Sequence, residues 1–376
     1  MHIVFLSGEY PLWTSGGVGT FIQTFGRSLV QAGHMVSVVG PGKDKEELKM
    51  EDGGVQIYRL PKNSGFLPNF VFNAFQINRK LKQLHKERPI AIIEAAEGGL
   101  ALLSKAHPAK KVIRLHGGHH FFSEAEKRKI NWRKGWLEKR SFSKADGFIA
   151  ISQYVKDHTA NYLSYSKRPI TIISLPLDTS KPTPQVEVQK DHMLFAGTVC
   201  EKKGVRQLIE AFKIVREKYP NKILDIYGRE WFYPDGSSYH DMLTEKYDAS
   251  YFENVNFHGS VSRDALDKKY AEAAFCVFPS HMETQGLVSI EAMLLGKPVI
   301  FSKYGPGPET VEHLKTGLLC DVYNPSDIAE KMIWCIEHEE EAALMGQTAS
   351  KLVKTRYDMN TILKSNVQFY QSLIEN

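Results

Sequence analysis

The segment FCVFPSHMETQGLVSIEAMLLG, residues 275–296, gives the clearest indication of how this chain folds. It opens with an apolar run short enough for a buried parallel strand, and Pro279 and Ser280 end that run. From Gly286 onward, apolar residues recur at helical spacing. The segment therefore predicts a strand, a polar loop and a helix. Because ligands of open α/β sheets bind at the carboxyl ends of strands, we expect a ligand site at this loop.

Two carboxylates and a helix start define the chemistry of the predicted loop. Glu283 lies in the loop, and Glu291 lies just over one turn inside the helix. The amides of Gly286, Leu287 and Val288 open the helix without partners inside it, so they suit an anion. Carboxylates accept hydrogen bonds from hydroxyls, and the combination favours a nucleotide sugar, which carries ribose, diphosphate and hexose. The alternative is an ordinary helix with a favourable acid near its start and one solvated glutamate.

Length and composition exclude several classes of protein. The chain has 376 residues, 42% of them hydrophobic, which is enough for about two domains. Its net charge of +5 is too small and too dispersed to indicate nucleic-acid binding. No apolar run approaches the roughly 20 residues that span a bilayer, and the N-terminus lacks the basic start of a signal peptide. The four cysteines have no metal-ligand spacing. We expect buried free thiols and a cytoplasmic protein.

Strands alternate with helices in both halves of the chain, which predicts doubly wound, mostly parallel sheets of the α/β class. Helices are predicted at 69–86 and 205–218. Strands are predicted at 2–7, 35–40, 55–60, 90–94, 112–115, 147–151, 170–173, 192–196, 223–227, 255–258, 275–278, 298–301 and 317–320.

A polar segment with three prolines, residues 176–191, interrupts the alternation and predicts a domain boundary. We expect a first domain at 1–180 and a second at 190–357, with a C-terminal helix at about 358–376 that packs back on the first. Two joined α/β domains form a cleft, and such clefts are favoured ligand sites.

Three further loops that follow predicted strands carry candidate binding groups. The glycine loop at 16–19 offers free amides at a helix start, although its spacing is not that of a dinucleotide fingerprint. His116 could donate to a sugar hydroxyl or a departing phosphate, and Lys203 would place an ammonium beside a diphosphate. The alternatives are a structural turn and a solvated lysine. The histidines at 116–120 lack HExxH spacing and the chain has no D-x-D pair, so no metal site is predicted.

The segment 121–142 interleaves aromatic and basic residues, which suits an anionic membrane surface or an acidic acceptor. The alternative is a helix with one buried aromatic face and one solvated charged face. The residues concerned are Phe121, Phe122, Lys127, Arg128, Lys129, Trp132, Arg133, Lys134, Trp136, Lys139 and Arg140.

Taken in order, these segments resemble the retaining glycosyltransferases of family 4 over nearly the whole chain. The resemblance implies the GT-B fold, in which two Rossmann-like domains face each other across a cleft. The matching segments are 16–19, Gly33-His34, Ala145-Asp146, Ile151-Ser152, 173–178, Lys203-Gly204, 208–212, Gly259, the E-x7-E motif from Glu283 to Glu291, Pro308-Glu309 and 316–319.

The resemblance also implies roles for individual residues. His116 would lie beside the transferred sugar, Lys203 would neutralise the leaving diphosphate, and Glu283 would hold a hydroxyl of the donor sugar. Glu291 would bind the ribose hydroxyls, and Gly17 would meet the diphosphate through its backbone. The implied donor-binding set is Gly17, Gly197, Thr198, Gly286, Leu287, Val288 and Glu291. Neither a metal nor a cofactor is implied.

The chain departs from the family pattern at two positions. Thr198 stands where the family usually has an arginine, so half of the expected cationic clamp is missing unless Arg206 or Arg229 replaces it. Gln285 stands where an aromatic residue is common.

The implied activity is transfer of a hexose with retention from a nucleotide sugar, most commonly UDP-linked. The acceptor would be a sugar, a lipid-linked sugar or a polysaccharide in cell-envelope or capsule synthesis. Attack would come from the front face, so Glu283 is not expected to act as a nucleophile. Two alternatives stay open, namely a sugar-nucleotide epimerase of the same architecture and a non-catalytic nucleotide-sugar binding module.

Overall fold

Two separate β-sheets organise the chain, one in each of two compact units. The first unit comprises Met1–Pro176 together with the segment that begins at Met359, and the second comprises Leu177–Asp358. A computed structural model of the chain describes residues 1–12, 16–125, 128–180, 182–233 and 235–375. Lys127 of the basic aromatic segment, Lys181 of the predicted boundary and Asn376 lie outside the described residues.

The sheet of the first unit has eight strands in the order β3-β4-β2-β1-β5-β6-β7-β8. Every neighbouring pair is parallel except β3 and β4. Its inner strands are short apolar runs because helices cover both of their faces. The strands are β1 (His2–Leu6), β2 (Met35–Pro41), β3 (Leu48–Asp52), β4 (Val55–Leu60), β5 (Ile92–Ala95), β6 (Lys110–Leu115), β7 (Gly147–Ala150) and β8 (Ile170–Ile172).

Strand β3 is absent from the strands that the sequence predicts. It forms an antiparallel hairpin with β4, and Asp52 pairs directly with Val55 across a two-residue turn. Gly53 and Gly54 make that turn with φ of 58° and 84°, the conformation that two-residue hairpin turns require. Because β3 is an exposed edge strand, it lacks the apolar pattern by which strands are recognised. Within this segment, the Gly53-Gly54 pair is the sequence feature that could have predicted the hairpin.

The sheet of the second unit has six parallel strands in the order β11-β10-β9-β12-β13-β14. The doubly wound α/β class predicted from the sequence is therefore confirmed in both units. The four cysteines, Cys200, Cys276, Cys320 and Cys335, are buried free thiols, as predicted. The strands are β9 (Gln189–Ala196), β10 (Ile223–Tyr227), β11 (Val255–Gly259), β12 (Ala273–Phe278), β13 (Val299–Ser302) and β14 (Leu318–Cys320).

Thirteen helices accompany the strands within the described residues. The helix predicted at 205–218 has those bounds, and the helix predicted at 69–86 ends one residue later. The helices are α1 (Gly17–Gln31), α2 (Asn69–Glu87), α3 (His119–Ala125), α4 (Trp132–Phe142), α5 (Gln153–Ala160), α6 (Val205–Lys218), α7 (Tyr239–Lys246), α8 (Arg263–Glu272), α9 (Leu287–Leu294), α10 (Gly307–Thr310), α11 (Pro325–Glu337), α12 (Glu339–Arg356) and α13 (Met359–Glu375).

Helix α13 completes the first unit through a buried polar network. Arg114 on β6 is fully buried, and its guanidinium donates to the Glu94 carboxylate on β5 at 2.7 and 3.1 Å. From α13, the Asn366 Oδ1 accepts from the same guanidinium at 2.6 Å, and the Tyr370 hydroxyl donates to Glu94 at 2.5 Å. A buried ion pair is tolerated when such additional hydrogen bonds satisfy it. The packing of α13 is thus tied to two charged residues at the centre of the sheet.

Replacing Arg114→Met should destabilise the first unit by about 3–5 kcal/mol, because Glu94 would keep a buried charge without its cation. The measurement is urea unfolding followed by circular dichroism. The double variant Arg114→Met/Glu94→Gln is the control and should recover part of the loss, since it removes both charges. A loss below about 1 kcal/mol in the single variant would contradict the importance of this ion pair.

Candidate active site

The loops that follow β9 and β12 touch each other in the second unit. Gly204 has a left-handed φ of 72°, and a Cβ there would lie 1.9 Å from the carbonyl oxygen of Pro279. The backbone amide of His281 also donates to the carbonyl of Lys202 at 3.0 Å. Only glycine permits so close an approach, so Gly204 holds the two loops side by side.

This contact brings two of the predicted site residues together. The Lys203 ammonium forms an ion pair with the Glu283 carboxylate. The Ser280 hydroxyl donates to the same carboxylate oxygen at 3.1 Å. Both charged side chains are mostly buried, with exposed fractions of 21% and 12%. Lys203 and Glu283 therefore form one charged centre at the carboxyl edge of the second sheet.

Helix α9 begins next to that centre. Gly286 precedes it with a left-handed φ of 75°, and a Cβ there would lie 2.5 Å from the ring of Phe301. Leu287 and Val288 are the first two residues of the helix, so their amides have no partners within it. The amides predicted to suit an anion thus lie at a glycine-capped helix start, three residues beyond Glu283.

Glu291 lies one turn inside α9 and is buried. Its carboxylate forms an ion pair with Arg263, the first residue of α8. Burial opposes the charged form of the Arg263 guanidinium, but Glu291 outweighs this effect and raises its pKa. Arg263 is a site residue that the sequence did not indicate, because its partner lies in another helix.

Three neighbouring strands end in glycine beside this site. Gly197, Gly228 and Gly259 follow or end β9, β10 and β11, and each has a positive φ. A Cβ on Gly228 would lie 1.8 Å from the carbonyl oxygen of Gly197. The half-buried Thr198 follows Gly197 directly. Gly228 therefore allows the ends of β9 and β10 to approach each other closely.

The two arginines considered as replacements at position 198 have different environments. Arg206 is held by ion pairs with Glu201 and Glu210. Burial opposes ionisation of Glu201, but hydrogen bonds, from Arg206 first, lower its pKa to about 2. Arg229 is exposed, and its carbonyl accepts from the amide of Val199 at 2.9 Å, next to Thr198. The Arg229 backbone thus lies beside position 198, whereas the Arg206 side chain is already paired with two acids.

In the first unit, two buried glutamates hold the turn that carries His116. A Glu97 carboxylate oxygen accepts from the Gly117 amide at 2.7 Å. The Glu138 carboxylate accepts from the amides of His119 and His120, and also contacts the His120 ring. The two acids lie on different elements, a loop after β5 and helix α4. Both carboxylates therefore accept hydrogen bonds from backbone amides of this turn.

Burial changes the protonation of two groups at this turn. It raises the pKa of Glu97 to about 7, an effect to which the neighbouring Glu138 adds. Burial, together with the positive charge of Arg114, lowers the pKa of His116 to about 3. His116 is therefore a neutral imidazole at physiological pH and can both donate and accept one hydrogen bond.

The glycine loop lies next to the same turn. The ring of Phe21 on α1 is 5.6 Å from the ring of His116. A Cβ on Gly17 would meet nothing within 4 Å, so this residue faces open space. The Gly19 amide is bonded to the Glu9 carboxylate at 3.3 Å. The structure therefore brings Gly17 and His116 to one region of the first unit, with a carboxylate already at the helix start.

The other two histidines of the turn have protein partners. The His119 ring accepts from the Asn131 amide at 2.8 Å, and the His120 ring pairs with Glu138. Across the described ranges of the chain, no group of three or more His, Cys, Asp or Glu side chains is arranged to hold a metal ion.

The basic aromatic segment forms two helices, α3 and α4, rather than the single helix that the sequence predicted. Phe121 and Phe142 are buried, as a structural helix requires. Trp132 and Trp136 are exposed on α4, Trp132 at 79%. Within the part of the chain that the structure describes, no helix is both long and apolar enough to cross a bilayer.

Two family models match the chain. The model described as Glycosyltransferase Family 4 matches residues 15–181, and the model described as Glycosyl transferases group 1 matches residues 178–352. The chain is 22% identical over 400 residues to a glycogen synthase of Mycobacterium tuberculosis, covering 98% of this chain and 94% of the relative. It is 23% identical over 395 residues to the GDP-mannose-dependent alpha-(1-6)-phosphatidylinositol monomannoside mannosyltransferase of that organism, covering 98% and 97%.

Solved structures share the fold. Sucrose-phosphate synthase from Thermosynechococcus elongatus matches with a TM-score of 0.84 at 20% identity, covering 100% of this chain and 99% of the other. HepE from Anabaena, solved in complex with UDP and glucose, matches with a TM-score of 0.78 at 19% identity, covering 99% and 100%. These likenesses confirm the predicted GT-B type of fold.

Replacing Glu97→Gln should remove a pH dependence of stability. The folded pKa of about 7 exceeds the ordinary value of 4.5, so the folded chain keeps this proton longer than the unfolded chain. The stabilisation is fully present below pH 4.5 and is lost as the pH rises to about 7, a difference of about 3 kcal/mol.

The measurement is the free energy of unfolding of wild type and variant between pH 4 and pH 8, at intervals of about half a pH unit. The difference between them should change across this window and be constant above it. Glu46→Gln, which alters an exposed glutamate, is the control and should follow the wild type. Parallel curves for wild type and Glu97→Gln would contradict the raised pKa.

Proposed function

Because the chain belongs to the family 4 glycosyltransferases, we propose that it moves a hexose with retention from a UDP-linked nucleotide sugar to an acceptor hydroxyl. The observation that carries this proposal is the Lys203–Glu283 pair beside the start of α9. The Lys203 ammonium, the Glu283 carboxylate and the amides at the start of α9 all lie in the loops that follow β9 and β12. A nucleotide sugar needs all three, because it combines a diphosphate with hydroxyl groups.

The donor diphosphate is proposed to bind at the amides of Gly286, Leu287 and Val288 and at the Lys203 ammonium. Lysine has three donors, so it can contact a phosphate while keeping its bond to Glu283. Arg229 is proposed to add the second cation that Thr198 does not provide. The bare backbone at Gly197 allows the donor to approach the strand end closely.

The two acids of the E-x7-E motif are proposed to bind hydroxyls rather than to attack the sugar. Glu283 would accept from a hydroxyl of the hexose, since its charge is already balanced by Lys203. Glu291 would accept from the ribose diol while Arg263 holds its carboxylate in place. The glycogen synthase and mannosyltransferase names of two relatives support a hexose as the group moved.

The reaction is proposed to occur on one face of the sugar. The bond from the anomeric carbon to the β-phosphate oxygen breaks, and a bond to the acceptor oxygen forms on the same side. The acceptor proton passes to the departing phosphate, whose developing charge Lys203 and the helix amides stabilise. Gly17 would contribute a backbone contact to the diphosphate. The neutral His116 would hydrogen-bond the sugar at the reacting centre.

We further propose that no metal or cofactor is required, because Lys203, Arg229 and the amides supply the compensating charge. The acceptor would be a saccharide or lipid-linked saccharide in cell-envelope or capsule synthesis. The transfer would take place in the cytoplasm, and the segment 121–142 would contact the membrane surface. The exposed Trp132 and Trp136 support that contact.

Donor binding is tested by thermal unfolding with UDP, GDP, ADP, their sugar conjugates and NAD, each with and without Mg²⁺. A donor at about 100 times its Kd should add roughly 2.7 kcal/mol, or several degrees of Tm. We expect a UDP-sugar to stabilise the chain without Mg²⁺. Stabilisation by NAD alone, or by no nucleotide, would refute the donor site.

Retention is tested by the anomeric configuration of the glycoside product, read by NMR and compared with that of the donor sugar. An inverted product would refute the mechanism. Conversion of the UDP-sugar without an acceptor would identify an epimerase, and donor binding without turnover on any acceptor would identify a binding module.

Lys203→Ala and Glu291→Ala should affect different kinetic constants. Lys203→Ala should lower kcat by about 10²–10³, because the ammonium acts on charge that develops in the transition state. Glu291→Ala should chiefly raise the donor KM by about tenfold. The carboxylate is expected to bind the donor equally well before and during the reaction, so its loss weakens binding without slowing the chemical step. Lys202→Ala removes the same charge one residue away and is the control. Equal small effects of Lys203→Ala and Glu291→Ala on both constants would contradict the assigned roles.

A further inference from the structure

An apolar cavity of about 160 Å³ lies in the first unit, at the carboxyl edge of its sheet. It is formed by the end of β1, the loop after β5, the first half of α2 and one residue of α4. The lining residues are Leu6, Phe70, Asn73, Ala74, Ile77, Asn78, Gly98, Gly99, Ala101, Leu102, Leu103 and Leu137. A cavity of about this volume holds a group the size of benzene.

The cavity adjoins the His116 turn. Gly98 lines the cavity and directly follows Glu97, whose carboxylate binds the Gly117 amide. Strands β1, β5 and β6 are neighbours in the sheet, and neighbouring strands lie about 5 Å apart. A ligand in the cavity would therefore be within one or two strand spacings of His116.

The chemistry of the lining suits hydrocarbon rather than sugar. Of its two polar side chains, Asn78 is already satisfied within the protein. Its amide donates to the carbonyls of Ala74 and Leu102 at 2.7 and 3.0 Å, and its oxygen accepts from the Ser104 amide at 2.7 Å. A sugar ring placed there would lose its hydrogen bonds to water and find few replacements.

Further exposed apolar side chains lie on the elements that form the cavity and on the loop before α2. Phe70 lines the cavity and is itself exposed, and Arg133 of α4 lies over its ring at 4.1 Å. The loop before α2, the first half of α2 and the exposed face of α4 supply the others. They are Phe66, Leu67, Val71, Phe75, Trp132 and Trp136. Exposed apolar patches on a protein surface mark interaction sites.

The same surface is strongly cationic. Lys129, Lys134 and Lys139 are exposed, and within the described parts of the chain none of them pairs with an acid. Arg140 lies over the ring of Trp136 at 5.4 Å. The one acid on α4, Glu138, is buried under the His116 turn. An apolar slot with a cationic rim is complementary to an amphiphile that has a hydrocarbon chain and an anionic head.

We propose that this cavity and its rim bind the hydrocarbon chain of a lipid-linked acceptor with a phosphate in its head group, an assignment that rests on the proposed transferase function. The chain enters between α2 and the loop after β5, the phosphate meets the lysines of the 128–140 segment, and the acceptor sugar reaches the His116 turn. The acceptor is thereby a lipid phosphate sugar rather than a soluble polysaccharide.

The test is calorimetric titration of the whole chain with butyl, hexyl and octyl phosphate below their micelle concentrations, with inorganic phosphate and octyl glucoside as reference ligands. Each added methylene should lower Kd about fourfold until the cavity is filled. No donor is present, so the outcome does not depend on transfer activity, which the UDP-sugar measurements test separately.

Ala74→Phe places a ring in the cavity and should abolish the dependence of Kd on chain length. Ala343→Phe, the same change at an exposed position of α12, is the matched control and should bind as the wild type does. Phe70→Ser removes an apolar ring from the mouth of the cavity and should weaken octyl phosphate binding. It is the second test if circular dichroism shows that Ala74→Phe is unfolded. Lys129→Ala/Lys134→Ala should weaken octyl phosphate about tenfold and leave octyl glucoside unaffected.

Three results would overturn the proposal. The first is a Kd for inorganic phosphate equal to that for octyl phosphate. The second is wild-type affinity for octyl phosphate in both Ala74→Phe and Phe70→Ser. The third is binding to vesicles of anionic phospholipid without binding to monomeric octyl phosphate, which would identify a bilayer surface as the partner.

Discussion

In each sheet the strand order reverses at one point, and the positions of the candidate groups depend on that reversal. In the second sheet the chain places β10 and β11 on one side of β9 and then returns to place β12 on the other. The connections therefore leave to opposite faces, and a crevice opens at the carboxyl ends of β9 and β12. Lys203 and Glu283 follow these two strands, so side chains 80 positions apart form an ion pair. In the first sheet the reversal lies between β1 and β5, where the apolar cavity is found.

Much of the fold could be predicted because local sequence determines it. Short apolar runs bounded by turn residues, such as 275–278 before Pro279, favour buried strands, and the periodicity of 205–218 specifies one helix face. Strand β3 escaped prediction because an edge strand needs no apolar face. The sequence also placed Lys203 and Glu283 at strand ends. Their contact could not be derived, since it depends on strand order and on the approach of Gly204 to Pro279.

The groups that sequence reasoning missed are those whose role depends on burial by distant elements. In the sequence, Glu97 is an acid before two glycines. In the folded chain, burial and the nearby Glu138 raise its pKa. Arg263 reads as an ordinary first residue of a helix, yet it holds Glu291. The Gly98-Gly99 pair after Glu97 was a usable signal, because two glycines also follow His116 at the end of the neighbouring strand. No comparable local signal marks Arg263 or Glu138.

The network around Arg114 has a consequence for the order in which this protein matures on the ribosome. Arg114 and Glu94 are synthesised early, but the side chains that complete their hydrogen bonds, Asn366 and Tyr370, lie more than 250 residues later. Until residue 370 has been synthesised, the ion pair of Arg114 and Glu94 lacks the hydrogen bonds that Asn366 and Tyr370 supply. The second unit, Leu177–Asp358, is contiguous and can close as soon as it emerges. The half that is synthesised first is therefore the half whose buried polar network is completed last.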